Sequence, residues 1–139
     1  MKKNNARAYV QNHFTSMSPG QIVLALYDGA ISALHLAGEA FVDGDVARRG
    51  TAISKAIAIL AELQVALNRD EGAHEELATS LDALYHYMIH ELTSANLKDD
   101  PKPLDECKEL ISGIRDAWAQ MLQTLNEEEA LANPQSSFA

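Results

Sequence analysis

With a single cysteine, Cys107, the chain can form no disulfide within itself, and its opening MKKNNARAYVQN lacks the apolar stretch of a secretory signal. Both absences lead us to expect a cytoplasmic protein. Basic residues are scarce: eleven Lys plus Arg stand against twenty Asp plus Glu, a formal net charge of -9. That acidic excess argues against nucleic acid and anionic membrane surfaces as partners. Long apolar runs are missing as well. None exceeds Ile22 to Tyr27 in length, far short of the roughly 20 residues of a spanning helix, so no membrane insertion is expected. Seven glycines and four prolines are few. The breaks at Pro19-Gly20, Asp43-Gly44, Gly72, Pro101-Lys102-Pro103 and Pro134 leave stretches too long for strands.

What is present is helical patterning on a scale that fits one domain of 139 residues, with 47% hydrophobic and 22% charged residues. Ser18-Pro19-Gly20-Gln21 combines a Ser cap, Pro at the first helical position and Gln three residues after the cap, so a helix is predicted from about residue 19 to about 41. Met17 and Ile22 are spaced for a hydrophobic staple across that cap. Gln21, Asp28, Ser32, His35 and Glu39 fall on one narrow stripe of this helix and nearly everything else is apolar, which marks it as the central helix. Asp45 is placed to cap a second helix with Ile53, Ala56, Ile57, Leu60, Leu63 and Leu67 on one face, ending near Asn68. Leu77, Leu81, Leu84, Tyr85, Met88, Leu92 and Ala95 mark a third, stopping near Asn96. Asp100 is placed to cap a fourth, whose seam Leu104, Cys107, Ile111, Ile114, Trp118, Met121 and Leu125 alternates spacings of three and four. Four such helices with short connections predict an all-α, antiparallel up-and-down four-helix bundle.

The ends read differently. Ala6, Tyr9, Val10, His13 and Met17 also recur at three and four, in a segment too short to hold a helix by itself. From Asn126 the chain gains charge, Pro and Ser and loses its period. We therefore divide it into an N-terminal helical segment, 1–17, docked or mobile; a bundle, 18–125; and an acidic tail, 126–139, expected to be disordered.

Few residues suggest catalysis. Glu71-Gly72-Ala73-His74 is one Glu-x-x-His string where a di-iron bundle needs two on helices, and this one lies at a turn. Asp82, His86 and His90 have the spacing to ligate zinc but fall opposite the apolar stripe, where a solvated face explains them. His35 shares a face with Asp28 and Glu39, yet no nucleophile or oxyanion donor accompanies it. Cys107 occupies a seam position suited to a small buried hydrophobe. Asp43-Gly44-Asp45 lacks the later oxygens of a calcium loop, and no Gly-rich phosphate loop occurs. No cofactor and no enzyme activity are expected. The remaining feature is surplus apolar surface on the first helix and on Tyr9, Val10, Phe14 and Met17, which calls for a partner or for the N-terminal segment to pack there as a fifth element.

Ala8-Tyr9-Val10-Gln11-Asn12, Ser18-Pro19-Gly20-Gln21-Ile22 and Leu26-Tyr27-Asp28-Gly29-Ala30-Ile31 resemble the opening of the flagellar secretion chaperone FliS family. Ile53-Ser54-Lys55-Ala56-Ile57, Leu84-Tyr85-His86-Tyr87-Met88, Ala95-Asn96-Leu97 and Asp116-Ala117-Trp118 resemble its later blocks, so the likeness spans about residues 6 to 122. Gly20 and His86 depart from it, where the family more often has a polar or acidic residue and Asp respectively. The resemblance implies a cytoplasmic chaperone that binds the disordered C-terminal segment of flagellin, prevents premature polymerisation and supports delivery to the flagellar type III export apparatus, without catalysis. Joined to the apolar surplus, it nominates Tyr9, Val10, Asn12, Phe14, Met17, Ile22, Tyr27, Asp28 and Ile31 as client-binding or groove-covering residues. Gly29 in mid-helix suggests instead the close approach of a neighbouring helix. Residues 5 to 16 are expected to lie over the empty groove and move when client binds, with permanent packing as the alternative. Two other functions stay open: a structural homodimer using the extra apolar face on itself, and a metal-dependent bundle enzyme.

Overall fold

In a computed structural model, which describes residues 17–69 and 75–133, four helices follow one another in the order α1 (Pro19–Asp43), α2 (Val46–Arg69), α3 (Glu75–Lys98) and α4 (Lys102–Ala132). The expected capping box is formed. Ser18 Oγ accepts the Gln21 N–H at 3.2 Å and Gln21 Oε1 accepts the Ser18 N–H at 3.1 Å, so two amides that the first turn leaves without helical acceptors are satisfied. At the other end of α1, Gly44 takes φ 67, and the amides of Gly44 and Asp45 return to the carbonyls of Phe41 and Ala40. This left-handed stop costs glycine little. Asp45 Oδ1 then accepts the Arg48 N–H at 3.1 Å and starts α2, as its sequence position predicts. Asp99 closes α3 with φ 55, and the cap expected of Asp100 falls one residue later: Pro101 is the N-cap of α4 and makes no side-chain hydrogen bond to the first turn, while Asp100 Oδ1 accepts the Lys102 N–H at 3.1 Å from just before it.

The helices form a ring in which each packs on its sequence neighbours and α4 returns to α1. The bundle is all-α and up-and-down, and no strand occurs among the described residues. Opposed pairs show that α1 and α4 are antiparallel: Lys108 lies beside His35, Arg115 beside Asp28 and Leu122 beside Gly20. By length and composition alone, α1 and residues Val46–Leu67 of α2 are apolar enough to cross a membrane. Polar residues interrupt both windows, so neither is an unbroken apolar run. In the bundle both helices contribute buried faces to one core, and in hydrocarbon α1 would have to submerge Asp28, His35 and Glu39.

One boundary differs from expectation. Helix α4 does not end at Leu125 but continues to Ala132, so residues 126–132, expected to belong to a disordered tail, are helical. The local reason is composition: Glu, Ala and Leu are strong helix formers, and loss of an apolar period removes a packing face without removing helix propensity. Asn133 and Pro134 then follow as a stop.

Candidate functional site

Where the apolar side chains are buried separates the two ends of the bundle. Among the described residues, the fully buried positions lie at 27–40 in α1, 49–63 in α2, 85–95 in α3 and 104–111 in α4. Antiparallel packing brings all of these to the end that holds the α1–α2 and α3–α4 turns. That end is closed. Arg49, only 8% exposed, locks it: its guanidinium pairs with Asp99, bonds the Asn96 side chain at 3.1 Å and the Asn96 carbonyl at 3.2 Å, and lies 4.8 Å from the Phe41 ring centre. Cys107, fully buried beneath, has its thiol pushed up to about 12, chiefly by burial, so it behaves as the seam hydrophobe its position predicts.

The opposite end is under-covered. There Ile22, Val23, Leu24, Ala25 and Leu26 of α1 are all partly exposed, Leu77 of α3 is 58% exposed and Leu125 of α4 51% exposed. Each such side chain forgoes about 25 cal/mol for every Å² left in water, so this end would gain from an added apolar surface. The floor beneath it is fixed. Tyr27 and Tyr85 meet hydroxyl to hydroxyl at 2.5 Å across the bundle, and Trp118 lies edge-on to Tyr27 with ring centres 6.4 Å apart. The Trp118 indole N–H donates to the Gly20 carbonyl at 2.9 Å, tying the start of α1 to α4. A Cβ at Gly20 would stand 2.5 Å from Leu122 Cδ2, which gives this glycine a packing reason.

The nominated residues separate accordingly. Tyr9, Val10, Asn12 and Phe14 lie outside the described residues. Met17 and Ile22 are partly exposed at the open end, and Ile31 is partly buried against the core. Tyr27 is 2% exposed, so it supports the face from below and presents nothing to a client in this conformation. Ala30 and Leu34 on the same face are buried too, and burial raises the Tyr27 hydroxyl pKa above the ordinary value. Asp28 is exposed, but it accepts from Arg115 Nε at 2.8 Å and ties α1 to α4. Gly29 faces α2, where a Cβ would lie 3.3 Å from Ile59 Cδ1, the close approach its mid-helix position suggested.

The polar stripe of α1 is exposed throughout; His35 Nε2 lies 3.2 Å from Glu39. Asp82, His86 and His90 are exposed on α3, and no three His, Cys, Asp or Glu side chains gather to hold a metal among the described residues. Residues 71–74, with the Glu-x-x-His string, lie outside them. Sequence reasoning missed Arg49, Leu24, Arg115 and Leu122. Trp118 belongs to the predicted seam, and its indole N–H, which needs an acceptor when covered, is the available sign of a tie to a helix end.

The family model described as Flagellar protein FliS matches residues 1–125. The Flagellar secretion chaperone FliS of Salmonella typhimurium is 39% identical over 129 residues, covering 92% of this chain and 94% of that one. The protein of the same name from Bacillus subtilis is 36% identical over 122 residues, 88% of this chain and 89% of its own, and that of Escherichia coli 38% over 117 residues, 84% and 85%.

Proposed function

Because the chain belongs to the Flagellar protein FliS family, a family of chaperones and not of enzymes, we propose that it holds the disordered C-terminal segment of flagellin in the cytoplasm, prevents premature polymerisation and supports delivery to the flagellar type III export apparatus. The observation that carries this reading is the uneven core: the buried positions gather toward one end of the bundle, while at the other no residue of α1 before Tyr27 is buried and Ile22, Leu77 and Leu125 of α1, α3 and α4 stand partly or half in water. A disordered chain that orders on such a surface supplies apolar anchors at helical spacing and covers a wide area. Ordering costs it on the order of 2–5 kcal/mol, so a broad face suits it better than a small pocket. Met17, Ile22 and Ile31 are the described client-facing residues in this reading, with Tyr27 as the floor. Residues 5 to 16, anchored by Tyr9, cover the face when it is empty and leave it when client binds.

Co-purification with full-length flagellin and with flagellin lacking its C-terminal segment tests the assignment. We expect recovery of the first and loss of the second; equal recovery of both removes it. Light scattering of the free chain adds the homodimer case, since self-association that blocks all peptide binding would assign the apolar face to a second copy.

A further inference from the structure

Helix α4 outruns its partner. The constant register of His35 with Lys108, Asp28 with Arg115 and Gly20 with Leu122 sets the first residue of α1 level with about residue 124. The remaining eight or so residues, about 12 Å of helix, project beyond it. Every residue from 123 to 133 is exposed, including Leu131 at 82%. Two helical turns with so little packing are marginal in water. Their charge makes matters worse. Glu127, Glu128 and Glu129 stand near the negative end of the helix dipole, the last turn holds no basic residue, and none follows Arg115 in the chain.

At the root of this projection an open groove of about 450 Å³ runs between α1 and α4, lined on one side by Ser18, Gln21 and Leu24 and on the other by Leu122, Glu127 and Ala130 among others. The chain enters α1 at this groove, since Ser18 is part of its wall. The sixteen residues before Met17 carry Lys2, Lys3 and Arg7 and no Asp or Glu, while the rest of the chain is strongly acidic. They also carry Tyr9, Val10 and Phe14. Cations and apolar side chains therefore arrive together beside a groove of mixed character, where Leu24, Leu122 and Ala130 offer apolar contact and Glu127, with Glu128 and Glu129 next to it in the chain, offers negative charge.

We propose that the projecting end of α4, residues 119–132, is the seat of the chain's own residues 1–16: the groove takes their apolar side chains, and Glu127, Glu128 and Glu129 pair with Lys2, Lys3 and Arg7. The seat rests on the reading above that the segment lies on the bundle, but it needs no flagellin. It gives the surplus length of α4 a use and supplies the positive charge its C-terminal end lacks.

A nitroxide on Ala132→Cys in the full chain, with a second sample labelled at Ala58→Cys on the exposed face of α2, reads the position of the segment by paramagnetic broadening of amide signals. The buried Cys107 stays unlabelled. We expect residues 2–16 to lose intensity with the label at 132 and not at 58. Lys2→Glu, Lys3→Glu and Arg7→Glu together should restore the signals, and adding Glu127→Lys, Glu128→Lys and Glu129→Lys should bring the broadening back. Broadening from position 58 alone overturns the seat while leaving the segment on the bundle. Broadening from neither position overturns both readings. Broadening seen only between labelled and unlabelled chains in a mixed sample overturns the seat in favour of a second copy.

Discussion

The hydroxyls of Tyr27 and Tyr85 meet at 2.5 Å inside the bundle, 58 residues apart in the chain, and bind α1 to α3 across the ring of helices. Burial raises the pKa of both, so each stays protonated where the chain works. Replacing either Tyr by Phe leaves the other hydroxyl short of its partner, at a cost of about 1–3 kcal/mol. The double variant removes both polar groups. It is expected to be nearer wild type than the sum of the singles, and urea unfolding of the four proteins measures the difference. Strict additivity would show that the two hydroxyls are not coupled.

Arg49 has a different kind of importance, because one side chain serves α3 at two points and stacks on Phe41 of α1. Arg49→Ala is expected to destabilise by about 2–3 kcal/mol, in the range of lost charged hydrogen bonds. Asp99→Asn should cost less than about 1 kcal/mol, since that carboxylate is largely in water. Thermal unfolding of both variants checks the order; equal losses would place the energy in the ion pair itself.

The glycines of α1 and α4 are not equivalent. A Cβ at Gly38 or Gly113 meets nothing within 4 Å, so Ala at either position should stabilise by roughly 0.5–1 kcal/mol through helix propensity. Gly20→Ala pushes on Leu122 instead. Trp118 is the chain's one tryptophan and bonds Gly20, so its fluorescence should shift in that variant and remain unchanged in the other two.

Alkaline pH should weaken the fold. The Cys107 thiol and the Tyr27 and Tyr85 hydroxyls all have raised pKa values in the folded chain, chiefly through burial. Their contribution is whole below the unfolded values of 9.0 and 10.0, because there both states keep the proton. As pH climbs past those values only the unfolded chain releases it, and stability falls. Urea midpoints measured from about pH 8 to about pH 11 should decline, and less so in the Tyr27→Phe/Tyr85→Phe protein.

A charge on the open face should separate binding from folding. Ile22 is partly exposed, so Ile22→Asp is expected to weaken binding of a flagellin C-terminal peptide about tenfold, ~1.4 kcal/mol, with little change in melting temperature. Leu34→Asp, at a position 2% exposed, should unfold the chain and serves as the contrast. Peptide titration followed by calorimetry checks both; unchanged affinity in Ile22→Asp would remove that residue from the face.

Sequence alone determined the four helices, the caps at Ser18 and Asp45 and the antiparallel order, because capping and periodicity are local: Ser18 and Gln21 lie three residues apart and need nothing distant to find each other. It also marked Gly29 as a close contact, whereas the central place expected for α1 gives way to a ring in which α1 packs on α2 and α4. Tertiary structure decided which apolar residues are covered. The same spacing describes Tyr27 and Ile22, yet one is core and the other partly exposed, since coverage depends on where α2, α3 and α4 stop and not on the residue's own helix. Only packing could place Trp118 on Gly20, bring Arg49 to Asn96 and Asp99, and carry α4 past the start of α1. Those contacts join positions 47 to 98 residues apart, a separation over which periodicity has no information.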